Sequence, residues 1–325
     1  SANAKKKKGD TSELKAFINT TLGESWEEGG ETVAANVLQA RAEDYELATL
    51  PAGVVLCTMS VDVQGDRLEL VIKGWGALEE SWTLDYDVLR GDPAQSDVWS
   101  TLRAVIQRPL ERADGVEMRV RAVAIDSGGL HTHEVYNFCR ANRALVPGGV
   151  FAVKGHSQRS RPIIGKPTAV DVNHKGEKIK RGASIYLVGT DTAKDLILGR
   201  LRLKEPGPGF MHFSQELPDE YYEQLTSEKR VQKHMRGRVY YDWTLPSGVR
   251  NEALDLEVYA IAAAHRLGIH RWKRRRWEME AKRHQPKAPV VPDEMQAVVA
   301  AAVVAQKRPP LAPRRPGGFV KGWRQ

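Results

Sequence analysis

Two β-branched runs, GVVLCTMSVDVQ from Gly53 and DRLELVIKGWG from Asp66, meet at a Gln64-Gly65-Asp66 turn, and this pairing limits the possible folds more than any other feature of the chain. Their apolar alternation around a short polar turn predicts an antiparallel hairpin. SWTLDYDVL extends it with a third strand. The order then changes: 97–112 has helical spacing through Leu102, Val105, Ile106 and Leu110, followed by the strand RVRAVAIDS and the helix HTHEVYNFCRANR. Strands expected at 150–154, 184–188 and 209–213 alternate with helices at 192–203 and 219–227. A second hairpin is expected at 231–241, before the turn Pro246-Ser247-Gly248 and the helix RNEALDLEVYAIAAAHRLG. Such an order predicts an α/β fold with a mixed central β-sheet flanked by helices.

At 325 residues, 41% hydrophobic and 28% charged, the chain has enough apolar material for one large domain with appendages. Its net charge of +8 suits a polyanionic partner such as nucleic acid. Two cysteines, Cys57 and Cys139, exclude a disulfide framework and a four-thiolate zinc site, and they suit a reducing cytoplasm. The longest uncharged apolar run, 297–305, is too short to cross a bilayer, so no membrane partner is expected. The chain opens on Ser1 rather than Met and is expected to be a piece of a longer protein.

Residues 1–50, with the lysine run Lys5 to Lys8 and the segment LKAFINTTLGESWEEGGE, are expected to form a linker or arm. A domain at 51–270 follows. Residues 154–183 are rich in Gly, Pro, Arg and Lys and predict a basic excursion from the core; Arg159, Arg161, Lys178 and Arg181 are its candidate DNA contacts. From 271 to 325 a basic and then Pro-rich composition predicts a largely flexible tail.

Three acids lie where an ionised group needs a reason. Asp62 interrupts an apolar strand, with Val61 and Val63 on one face and Asp62 and Gln64 on the other. Asp126 ends the next apolar strand just before Ser127-Gly128-Gly129; it could cap the following helix, make a turn, or serve a site at a strand C-terminus. Asp255 sits beside the stripe Leu254, Val258, Ile261 and His265, with Glu252 and Tyr259 on its own flank, and an exposed helical charge is the plain alternative. Together they form the set expected for phosphoryl transfer with two hard divalent ions about 3.5–4 Å apart. Asp66 is expected in the hairpin turn, Glu69 on an uncertain face and Asp191 at a helix start. His131 and His133 lack further zinc ligands apart from Cys139, and Gly165-Lys166-Pro167-Thr168 lacks the earlier glycine of a phosphate loop.

The segments SVDVQGDRLEL, AVAIDSGG, VGTDTAKDLILGRL and NEALDLEVYAIAAAHR resemble the nuclease half of the GpA family of large terminase subunits from lambda-type phages. LKAFINTTLGESWEE resembles the segment that follows the packaging ATPase in those proteins. The similarity runs over roughly 10–270. The resemblance implies a ribonuclease H-like fold and a metal-dependent endonuclease that cuts concatemeric double-stranded DNA with Mg²⁺ or Mn²⁺, two ions being expected, held by Asp62, Asp126 and Asp255. It also implies a set of partners: the ATPase domain of the full-length protein, the small terminase subunit, and the portal protein through the C-terminal tail. Its expected place is the host bacterial cytoplasm, at the procapsid portal. A ribonuclease H-like recombinase or junction nuclease, and a non-catalytic DNA-gripping or portal-docking module, are the alternatives.

Overall fold

The computed structural model describes residues 30–172, 178–235 and 238–286, with the side chains of 170–182 and 235–238 excepted. The first hairpin forms as its alternation requires: β1 (Leu56–Val63) pairs antiparallel with β2 (Arg67–Trp75), which pairs antiparallel with β3 (Ser81–Arg90). Gln64-Gly65-Asp66 is the turn. A short helix, α1 (Ala35–Gln39), precedes β1, and α2 (Ser96–Gln107) follows β3. After the two-residue strands β4 (Leu110–Glu111) and β5 (Glu117–Met118) comes β6 (Val120–Asp126), parallel to β1. Then follow α3 (Thr132–Ala141), β7 (Val150–His156), β8 (Pro167–Val172), β9 (Lys178–Gly189), α4 (Thr190–Leu201), β10 (Met211–His212) and α5 (Asp219–Leu225). The last elements are β11 (Lys229–Met235), β12 (Arg238–Thr244), α6 (Glu252–Arg266) and α7 (Arg274–Arg283). The main sheet has eight strands in the order β10-β3-β2-β1-β6-β7-β9-β8, and β11 and β12 form a separate hairpin. This is the mixed α/β sheet with flanking helices that the sequence predicts, and it is consistent with a ribonuclease H-like domain.

Strand parity divides the core in two. On one face Leu56, Val71, Ala122, Ala124, Phe151 and Val153 pack with the apolar residues of α4, α5 and α6. On the other, Met59, Val61, Leu70, Val123 and Ile125 pack with Leu102 and Ile106 of α2 and Val135 and Phe138 of α3. Helix α6 is buried almost all round because it lies across the middle of the first face, where Ser60 Oγ donates to Leu256 O at 2.7 Å. Gly268, at φ +82°, ends it by donating its N–H to His265 O at 2.9 Å in the left-handed conformation that glycine adopts without strain.

Three boundaries differ from those the sequence predicts. Residues 30–50 pack against the body: Leu38 is fully buried, and Glu43 exchanges backbone hydrogen bonds with Phe213 and Gln215. The 154–183 segment is largely sheet rather than an excursion, because β8 and β9 pair antiparallel and make β8 the sheet edge; lysines and arginines there masked the strand pattern. Past residue 270, α7 turns Trp277 and Glu280, three residues apart, into the body, and Glu280 accepts from Arg121, Arg276 and Arg283. The described residues up to Gln285 belong to one compact unit. The expected segments at 1–29 and 287–325 lie outside the described residues. No helix among the described residues is long and apolar enough to cross a membrane.

Candidate metal-binding active site

Register and parity bring the strand acids together. Parallel β1 and β6 pair Val61 with Ile125, so Asp62 and Asp126 follow side by side at the strand ends. Each has the parity of the α6-facing residues, Ser60 in β1 and Ala122 and Ala124 in β6. Asp255 and Tyr259, one turn apart in α6, come down onto the same place. All four line one cavity of about 460 Å³, along with Gln64, Gly128, Gly129, Leu130, Lys154, Asn251 and Glu252.

Asp62 is 6% exposed, and Gln64 Nε2 donates to its Oδ2 at 2.5 Å. Burial first, and then the charge of Asp126, push its carboxyl up to about 7. Asp126 is raised chiefly by burial, against hydrogen bonds from the Gly128 N–H at 3.1 Å and from the Tyr259 hydroxyl. It does not cap α3, whose N-cap is His131. The half-buried Asp255 is raised to about 6, again chiefly by burial, with Lys194 opposing. Lys194 Nζ lies 3.6 Å from its Oδ1, and Asn251 Nδ2 donates to Oδ2 at 3.1 Å.

Glu69, whose face the sequence left open, lies opposite Asp62 in the β1–β2 register and is fully buried. It is already neutralised: Arg67 Nε and Arg250 Nη2 reach Oε1 at 2.6 and 2.5 Å, and the Tyr86 hydroxyl donates to Oε2 at 3.0 Å. Arg67 and Arg250 also hold Glu252 at the cavity rim. Asp66 lies in the turn and Asp191 in the first turn of α4, as expected. Gln64 and Lys154 line the cavity and Lys194 and Glu228 lie beside it, none of them among the acids that stand out in the sequence. Gln64 shares parity with Asp62, which was a usable signal; the others depend on tertiary placement.

Among the described residues no three acidic, histidine or cysteine side chains converge into a closed ligand cluster. Asp62, Asp126 and Asp255 nonetheless line one cavity. The donor set fits a hard divalent cation: the lining offers the carboxylate oxygens of Asp62, Asp126 and Asp255 and the amide oxygens of Gln64 and Asn251. Burial is the main cause of the raised carboxyls at Asp62 and Asp255, and the neighbouring Asp126 adds to it at both.

Of the candidate DNA contacts, Arg159 stacks over the Tyr240 ring at 3.9 Å and lies 4.0 Å from Asp242, in a cleft that includes Asp191 and Thr192 of α4. Arg161 is half-buried, and its carbonyl accepts from Thr192 Oγ1 at 2.7 Å. Lys178 and Arg181 belong to β9, and their side chains lie outside the described residues.

Residues 1–277 match the family model described as terminase large subunit gpA, endonuclease domain. The chain is 36% identical over 277 residues to the terminase large subunit of Escherichia phage lambda, an alignment covering 82% of this chain and 41% of that protein. It is 33% identical over 274 residues to the terminase large subunit of Enterobacteria phage P21, covering 81% and 40%. It therefore spans about two fifths of the length of these curated relatives. No solved structure matches it. With register, parity and a covering helix gathering three aspartates at the sheet's end, and with most of its length matched by one family model, the chain belongs to the terminase large subunit gpA endonuclease-domain family.

Proposed function

We propose that the cavity is the active site of a metal-dependent endonuclease that hydrolyses phosphodiester bonds of double-stranded DNA, and that Asp62, Asp126 and Asp255 hold Mg²⁺ or Mn²⁺, two ions in all. The juxtaposition of Asp62 and Asp126 in adjacent parallel strands, beneath Asp255, carries this reading. Bound there, the ions supply charge neutralisation at the scissile phosphate and a lower pKa for the attacking water. The chain's own groups orient that chemistry. Gln64 donates to one oxygen of Asp62, and the Gly128 N–H and the Tyr259 hydroxyl both donate to Asp126, so each carboxylate is held in direction. Lys154, exposed at the rim, offers a counter-charge to the DNA backbone. Arg159, Arg161, Lys178 and Arg181 extend that contact along the duplex.

In its biological setting we place this activity in DNA packaging, cutting concatemeric viral DNA at the procapsid portal in the host bacterial cytoplasm. Its partners there are an ATPase domain of the same protein, a small terminase subunit and the portal.

Nicking of supercoiled plasmid in Mn²⁺ tests the reading. Asp62→Asn replaces a hard anionic ligand by a neutral amide and is expected to lower the rate at least about a hundredfold with the fold retained. Undiminished nicking by a folded variant would remove Asp62 from the site.

A further inference from the structure

Four side chains from three segments close a ring beside the cavity. Glu228 Oε1, just before β11, accepts from Lys194 Nζ of α4 at 2.5 Å and from Asn251 Nδ2 at 2.8 Å. These two donors then reach Asp255, one to each carboxylate oxygen: Lys194 Nζ to Oδ1 at 3.6 Å, and Asn251 Nδ2 to Oδ2 at 3.1 Å. Lys194 is 8% exposed and Glu228 is 6% exposed, and neither lines the cavity. A buried lysine and glutamate in contact are together neutral, so the pair adds no net charge to the acid cluster. It adds direction: an ion pair with Lys194 at one oxygen and a hydrogen bond from Asn251 at the other restrict the torsion of the Asp255 carboxylate, which lines the cavity.

We propose that Lys194 and Glu228 form a neutral clamp that positions Asp255 for cation binding, Lys194 acting through Asp255 rather than on the substrate. The inference rests on the carboxylate cavity being a divalent-metal site. Ordering a ligand before the ion arrives removes that cost from binding, and partners of this kind typically carry about 10–100-fold of metal affinity.

The test is Mn²⁺ affinity, followed by the electron paramagnetic resonance of free Mn²⁺, with thermal unfolding in chelator measured in parallel. Lys194→Met with Glu228→Met removes the clamp without changing net charge. Lys194→Gln with Glu228→Gln is also net-neutral, keeps polar side chains there but lacks the charge and reach of the Lys194 ammonium toward Asp255, and serves if the apolar pair does not fold. The expected result is a folded double variant whose Mn²⁺ Kd rises about tenfold or more, together with a fall in kcat for nicking and little change in KM. A role confined to folding would move only the unfolding temperature; a folded variant binding Mn²⁺ within twofold of wild type overturns the clamp. Wild type failing to bind Mn²⁺ overturns the metal-site reading itself, and the clamp with it.

Discussion

With its carboxyl pushed up to about 7, Asp62 keeps a proton in the folded protein at pH values where the unfolded chain, at its ordinary 3.8, has lost it. Without metal, stability from this group therefore falls as pH rises from about 4 to 7 and stays low above that, a loss on the order of a few kcal/mol. Asp62→Asn removes the penalty. In chelator the variant is expected to unfold at a higher temperature than wild type at pH 8 and at nearly the same temperature at pH 4. Equal midpoints at pH 8 would mean that Asp62 is solvated or already paired. The oddity of Asp62 was legible in the sequence because a charge in a β-branched run is costly wherever it faces inward. Glu69 was not, although it stands directly opposite: only the fold shows that Arg67 and Arg250, the latter 181 residues away, quench it.

Helix α6 sets the geometry of the site because two polar anchors fix it on the sheet. Ser60 holds its first turns through Leu256 O, and Lys73 Nζ, fully buried in β2, donates to Glu257 Oε1 at 2.9 Å and to Thr83 Oγ1 at 2.9 Å. The Tyr221 hydroxyl reaches the same Glu257 oxygen. Lys73→Met leaves Glu257 charged and buried without its partner, and is expected to cost about 3–5 kcal/mol in urea denaturation. Lys73→Met with Glu257→Leu is expected to cost less than the single change; a single-variant loss below about 1 kcal/mol would show that water reaches the pair. The hairpin β1–β2, the strand β6 and the 184–188 part of β9 were readable from their apolar runs, whereas β8 and the first half of β9 were hidden by charges that suit an edge. The period of α6 gave the helix, but not the strand it would cross.

At the scale of the whole molecule, the sequence placed the end of the folded domain too early, because Lys and Arg dominate 271–283 and conceal two inward-facing positions. Trp277 is 2% exposed and packs edge-on to Trp272 at 4.9 Å, while Arg112 Nη2 donates to His284 O at 2.7 Å. A chain ending at 286 is therefore expected to keep wild-type stability and metal-dependent nicking of naked DNA. Ending at 270 should cost at least about 3 kcal/mol in denaturant, the scale of losing a buried tryptophan; equal stability of the two truncations would show that α7 adds nothing to the fold. The family likewise emerged from ordered motifs over most of the chain, whereas the cavity needed strands 64 residues apart in sequence, Asp62 and Asp126, to lie in parallel register.

That register is what the account rests on, and crystals soaked in Mn²⁺ test it most directly. Anomalous scattering is expected to place two Mn²⁺ ions in the cavity, each about 2 Å from its carboxylate oxygens, with Asp62, Asp126 and Asp255 all among the ligands. Mn²⁺ at saturating concentration lying elsewhere on the protein, with these three aspartates making no contact to it, would contradict the account.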